Sequence, residues 1–177
     1  MVKRTSGADR RKQIVTWLKS ATTPITGSEL AKKANVSRQV IVQDISLLKA
    51  TNEPIVATSE GYLFLQNQKN DSVFEKVIVC NHTPEQTKVE LFAIVDHGVT
   101  VKDVKIEHPI YGDFSASVMV SNRSEVEQFL HTVSDTNAPL LSQLTEGIHL
   151  HTLQADSMKK IEAACHILDQ LGILVKA

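Results

Sequence analysis

The stretch "GSELAKKANVSRQVIVQDISLL", residues 27 to 48, leaves the chain little freedom in how it folds. A short helix is predicted from about Gly27 or Ser28 to Ala34, and Asn35 follows it as a residue that tolerates the left-handed conformation ending a helix. Ser37 then caps a second helix, on which Ile41, Ile45 and Leu48 keep helical spacing. A short helix, a turn of about three residues and a longer helix make a helix-turn-helix.

The flanking segments extend this unit. "DRRKQIVTWLKSA" carries Ile14, Trp17 and Leu18 on one helical stripe, with Asp9 as its expected cap. "PIVATSEGYLFL" gives two β-rich runs around Ser59, Glu60 and Gly61, with Gly61 supplying a positive φ for a hairpin. Three helices and a hairpin predict a winged helix over residues 1–66, whose second motif helix lies in the major groove. Ser37, Arg38, Gln39 and Gln43 are the side chains expected at base edges of double-stranded DNA, since Arg and Gln bond guanine and adenine bidentately. Lys3, Arg4, Arg10, Arg11, Lys12, Lys32 and Lys33 are phosphate contacts or solvated charge, which sequence does not separate.

Charge divides the chain at the same place. Residues 1–66 carry ten Lys/Arg against five Asp/Glu, net +5, whereas residues 67–177 carry nine against fifteen, net −6. A basic unit followed by an acidic one fits a first half that meets phosphate and a second that does not. "QNQKNDS" has no apolar periodicity and predicts a linker at residues 67–72. No apolar run approaches the roughly 20 residues of a membrane span, and no apolar signal core follows the basic N-terminus, which predicts a cytoplasmic protein without a membrane partner. Cys80 and Cys165 lack a CxxC partner and read as buried reduced thiols.

Residues 73–177 alternate short strands and helices in the order βαββαβα, which predicts an α+β sandwich with a mostly antiparallel sheet covered on one face by helices. "GILVKA" adds a short last strand. In "NHTPEQTKVE" Thr83, Pro84 and Gln86 form a capping box with proline at the first helical position, so His82 stands immediately before a helix. Glu90 faces the same region from about two turns further on. In "GIHLHTLQA" the alternation of a strand puts His149 and His151 on one face, either as metal ligands or as histidines on the wet side of a sheet. If the helix crosses above that strand, three imidazoles and one carboxylate form a site for a divalent ion such as zinc, nickel or cobalt. Such a cluster also admits a metal-dependent hydrolase, and His82 at a helix start admits a regulator phosphorylated on histidine. "HPIYGD", residues 108–113, reads as hairpin chemistry, with His108 and Tyr111 as candidates to line a small-molecule pocket.

"SRQVIVQDISLL", "NHTPEQTKVEL", "EHPIYGD" and "PLLSQLTEGIHLHTLQA" together resemble the niacin-responsive transcriptional repressors, over nearly the whole chain. The resemblance implies a homodimeric repressor of genes for NAD synthesis or niacin uptake, with nicotinic acid as co-repressor. It implies a second domain similar in fold to the histidine-containing phosphocarrier protein, holding one divalent transition metal, nickel or zinc. Its metal ligands fall on His82, Glu90, His149 and His151, and His108 and Tyr111 match its HPxYG segment, for which an effector-binding role is expected.

Overall fold

The computed structural model describes residues 6–65 and 73–176. The expected linker at residues 67–72 lies outside the described residues, as do Lys3 and Arg4. The chain divides into two compact units, Met1–Lys69 and Asn70–Ala177.

In the first unit α1 (Gly7–Ser20), α2 (Gly27–Ala34) and α3 (Arg38–Ala50) are followed by a hairpin of β1 (Ile55–Thr58) and β2 (Gly61–Phe64). Each helix begins on a hydroxyl. The cap of α1 is Ser6, not Asp9: Ser6 Oγ accepts from the Asp9 amide at 3.1 Å and donates to Asp9 Oδ2 at 2.7 Å. Asp9 thus supports the cap from the first turn, where its charge also suits the helix dipole. Thr26 and Glu29 make a reciprocal capping box on α2, and Ser37 Oγ accepts from the Val40 amide on α3. Asn35, at φ 51°, ends α2 in the left-handed conformation.

Ile14, Leu18, Leu30, Ile41, Ile45, Leu48 and Ile55 form the core of this unit. Beside them lies Asp44, a carboxylate only 2% exposed on the inner face of α3. Arg10 Nε donates to it at 2.5 Å and Arg11 Nη1 at 3.3 Å, so two arginines of α1 hold α3 in place. A buried charge must be paired, and Asp44 is satisfied only while these helices stay docked. At the hairpin, the pairing of Thr58 with Gly61 leaves Ser59 and Glu60 as the loop. Gly61 has φ +134°, and a Cβ there would stand 2.5 Å from the carbonyl oxygen of Ile25. Glycine therefore serves close approach as well as conformation, because Ile25 and Tyr62 exchange two backbone hydrogen bonds and Ile25 extends the hairpin.

The second unit follows the order β3 (Phe74–Asn81), α4 (Thr87–Val95), β4 (Thr100–His108), β5 (Gly112–Val120), α5 (Arg123–Thr136), β6 (Ile148–Ala155) and α6 (Met158–Gln170). One 3-10 turn, Pro84–Gln86, leads into α4, and another, Leu141–Thr145, precedes β6. The four strands pair antiparallel in the order β3-β6-β4-β5, so β6 is hydrogen-bonded on both edges. Leu91 and Ile94 of α4, Val126 of α5 and Ile161 and Leu168 of α6 share one core with Ile78, Val101, Val118 and Leu153 of the sheet. Val77 and Ile148, on the other face, are about half exposed. The expected last strand is reduced to a single bridge between Leu174 and Cys80. Among the described residues no helix is long and apolar enough to cross a membrane.

Removing Asp44 tests the link between α1 and α3. Asp44→Ala should destabilise the chain by about 2–3 kcal/mol, less than the roughly 3–5 kcal/mol of a fully enclosed pair because both arginines reach water. Urea unfolding monitored by Trp17 fluorescence measures it, and a loss under about 0.5 kcal/mol contradicts the assignment.

Candidate functional site

On α3, Ser37, Arg38, Gln39 and Gln43 are all exposed. The first three stand at the helix N-terminus, the end expected to meet base edges. Lys12, Lys32 and Lys33 are exposed as well, and Lys33 lies over the Trp17 ring at 5.7 Å. Arg10 and Arg11 differ from these lysines because they are engaged by Asp44.

The second unit buries four ionisable side chains around one point. Glu90 is 1% exposed and His149 2%, with His151 and His82 nearly as enclosed. His149 and His151 project from β6 toward α4 because residues two apart on a strand share a face. His82 leaves the end of β3 beside them, and Glu90 descends from α4. The two turns of rise expected between His82 and Glu90 do not keep them apart: His82 Nε2 lies 2.7 Å from Glu90 Oε2. Helical side chains lean toward the N-terminus, and a long one recovers most of a turn. Gly147 brings the remaining backbone together. It has φ +100°, and a Cβ there would come within 2.6 Å of the His82 carbonyl oxygen.

Each imidazole is oriented by a backbone carbonyl. His82 Nδ1 lies 2.7 Å from Thr83 O, His149 Nδ1 2.8 Å from Gly147 O and His151 Nδ1 2.6 Å from Asp103 O. A carbonyl only accepts, so each Nδ1 carries the proton and each neutral ring turns an Nε2 lone pair inward. All three lone pairs face Glu90: after His82, His149 Nε2 is 3.1 Å from Oε1 and His151 Nε2 3.5 Å from Oε2. His151 Nε2 is buried with no hydrogen-bond partner. Neutral imidazole nitrogens and a carboxylate are all acceptors, so the arrangement calls for a positive charge between them.

Protons on the rings are one answer, and they act on the titrations. Burial pulls the His82 and His151 rings down, but Glu90 outweighs it and raises both. The Glu90 carboxyl, which burial alone would raise, is held well below its usual range by His151, His149 and His82. Yet neighbouring ring centroids are 4.9 and 4.8 Å apart, and one carboxylate does not neutralise three crowded imidazolium ions. A divalent cation supplies the charge without that repulsion, and carbonyl-anchored histidines with inward Nε2 atoms are its usual setting. The residues present therefore fit a metal ion.

Cys80 lies beside this cluster. Its sulfur, a Glu90 oxygen and a His149 nitrogen all lie within 4.8 Å of one another. Burial and the charge of Glu90 push the thiol well above its ordinary value. The expected buried, reduced thiol is what the structure has, and it adds that Cys80 stands opposite His149 in the β3–β6 pairing.

A cavity of about 170 Å³ opens against the histidines. Its walls are mainly apolar, with Val104, Val118, Phe129, Val133, Leu140 and Leu141. Thr87, whose buried Oγ1 has no partner, lines it too. His108 and Tyr111 stand elsewhere, at the β4–β5 turn outside the cavity wall. There His108 Nδ1 accepts from the amides of Ile110 and Tyr111 at 3.2 and 3.3 Å, and Tyr111 is 74% exposed. The hairpin role accounts for His108, and the cavity walls come instead from β4, β5, α5 and the segment before β6. Their apolar residues carry no sequence signal that separates a cavity lining from a core.

Known proteins share this combination. Residues 75–177 match the 3H domain model and residues 10–63 an HTH domain model. The transcription repressor NadR of Bacillus subtilis (strain 168) is 57% identical over 171 residues, covering 96% of this chain and 95% of the relative. The probable transcription repressor NiaR of Thermotoga maritima is 35% identical over 168 residues, covering 95% and 94%. The chain belongs to the NadR/NiaR family of transcription repressors. Membership in the NadR/NiaR family, with the HTH domain, makes the chain a regulator rather than an enzyme, and the hydrolase reading of the histidine cluster falls. Phosphorylation of His82 also finds no support, since that ring is buried and both its nitrogens are engaged.

Substituting one ring tests the electrostatic argument. His149→Ala should weaken zinc or nickel binding by more than the roughly 10–100-fold that loss of an outer partner costs, with the far-ultraviolet circular dichroism retained. Competition with a chromophoric chelator gives the ratio, and unchanged affinity contradicts a metal centre here.

Proposed function

We propose that this chain represses transcription as a homodimer on operator DNA and that nicotinic acid, bound at a metal centre in the second unit, is its co-repressor. One observation carries the proposal: three inward-facing Nε2 atoms and a buried carboxylate form the end of an apolar cavity sized for a single aromatic ring. A cavity of about 150 Å³ with aliphatic and aromatic walls accommodates benzene. Nicotinic acid is a ring of that size bearing one carboxylate.

His82, Glu90, His149 and His151 would hold one nickel or zinc ion. The ion supplies a positive centre for the effector's carboxylate. The side chains determine the rest. Phe129, Val133 and Leu140 exclude water from the ring, and Thr87 Oγ1 offers a hydrogen bond that no protein group meets. The carbonyls of Thr83, Gly147 and Asp103 keep the imidazoles from turning.

At the other end of the chain, three helices and a hairpin support a winged helix that sets α3 into the major groove. Arg38 and Gln39 would read bases, and a dimer would place two such helices about 34–36 Å apart or a multiple of it. An effector changes operator affinity only by binding the DNA-competent arrangement more tightly than the other. Targets among genes of NAD synthesis or niacin uptake, and action in the cytoplasm, follow from the family resemblance.

Nicotinic acid at micromolar concentration should tighten operator binding by about 5–150-fold, the range of ordinary allosteric coupling. Nicotinamide, which lacks the carboxylate, should do much less, and chelation of the metal should abolish the difference. Gel-shift titration measures all three, and an unchanged affinity with nicotinic acid in metal-replete protein defeats the proposal. Separately, Arg38→Ala should cost about 1–3 kcal/mol on the operator and relax base preference at one position. Equal weakening on operator and random DNA would make Arg38 a phosphate contact instead.

A further inference from the structure

We propose that Cys80 is a ligand of the metal centre, so that the ion is held by sulfur as well as by nitrogen and oxygen. The inference rests on the metal reading of the histidine cluster and adds a donor outside the set of His82, Glu90, His149 and His151. Position carries it first. Cys80 and His82 are two apart at the end of β3, and Cys80 stands directly opposite His149 in the β3–β6 ladder. The three donors that lie within 4.8 Å of one another come from three elements, Cys80 from β3, Glu90 from α4 and His149 from β6. A second observation points to a ligand: His151 Nε2, on the same strand face as His149 and 4% exposed, makes no hydrogen bond, although Glu90 Oε2 lies 3.5 Å away.

The backbone fixes the sulfur. Cys80 pairs with β6 on one side and bridges to Leu174 on the other. On that second side the Asn81 amide donates to Ile173 O and the Val175 amide to Val79 O, each at 2.9 Å. With both edges bonded and no exposure, the backbone holds Cys80 beside Glu90 and His149. It is also absent from the lining of the cavity that opens against the histidines. Cys165 provides a contrast within the same core: it is buried on α6 but, among the described residues, belongs to no such group of donors.

The step is a ligation. As the sulfur–metal bond forms the S–H bond breaks, the proton passes to water, and no atom changes oxidation state. A thiolate narrows the choice of ion, because soft sulfur favours zinc, cobalt and nickel over magnesium, calcium and manganese.

Cobalt(II) reports the difference by spectrum. Cobalt-loaded protein should show a near-ultraviolet thiolate-to-cobalt charge-transfer band that persists in Cys165→Ser and disappears in Cys80→Ser, while Cys80→Ser still binds cobalt. X-ray absorption of the zinc form, which needs no variant and so decides the matter if Cys80→Ser does not fold, should show one sulfur at about 2.3 Å. One cobalt per chain without the band, and zinc with nitrogen and oxygen neighbours alone, would overturn the sulfur ligand and leave the histidine centre standing. Parent protein that takes up neither ion in equilibrium dialysis would overturn the centre itself, and the sulfur ligand with it.

Discussion

The second unit is organised around a buried carboxylate. Glu90 sits almost without solvent among three imidazoles whose outer nitrogens are already committed to carbonyls. That commitment makes the centre directional, since each ring presents a lone pair rather than a proton to the interior. To satisfy it, β3, α4 and β6 meet at one place, and Gly147 admits the close backbone contact with His82. The central position of β6 then has a clear purpose, for a strand bonded on both edges holds two ligand-type side chains in register.

The same economy of placement appears in the DNA-binding unit, with the opposite chemistry. There the buried charge is met by arginines, and the pair acts between helices rather than at a ligand site. α3 presents polar residues outward from its first turns because its inner face is anchored by Ile41, Asp44, Ile45 and Leu48. Recognition and docking thus occupy opposite sides of one helix.

Much of this was readable from residue order, for identifiable reasons. The α2–turn–α3 motif was legible because Asn35 and Ser37 are terminator and cap at the required spacing. The shared direction of His149 and His151 was legible because strand periodicity does not depend on the neighbours. The His82–Glu90 contact was only half legible, since backbone rise overstates the distance between two long side chains that lean toward each other. Cys80 was legible as a buried thiol, but its nearness to Glu90 and His149 depends on the packing of α4 on β3 and β6, which residue order does not show. His108 and Tyr111 drew attention as an imidazole and an aromatic in a loop, whereas the amides of a tight turn account for the imidazole.

The Asp44 cluster has a further consequence for how the first unit meets a polyanion. Affinity for duplex DNA grows with the number of phosphates neutralised, because each releases condensed counterions. Arg10 and Arg11 point their guanidinium groups at an internal carboxylate, which already offsets part of the charge they would bring to those ions. The dependence of binding on ionic strength is then set by the lysines and by Arg38 more than by the count of basic residues. A repressor of this build loses less of its hold as salt rises than its net charge implies, and leans correspondingly more on contacts that read bases.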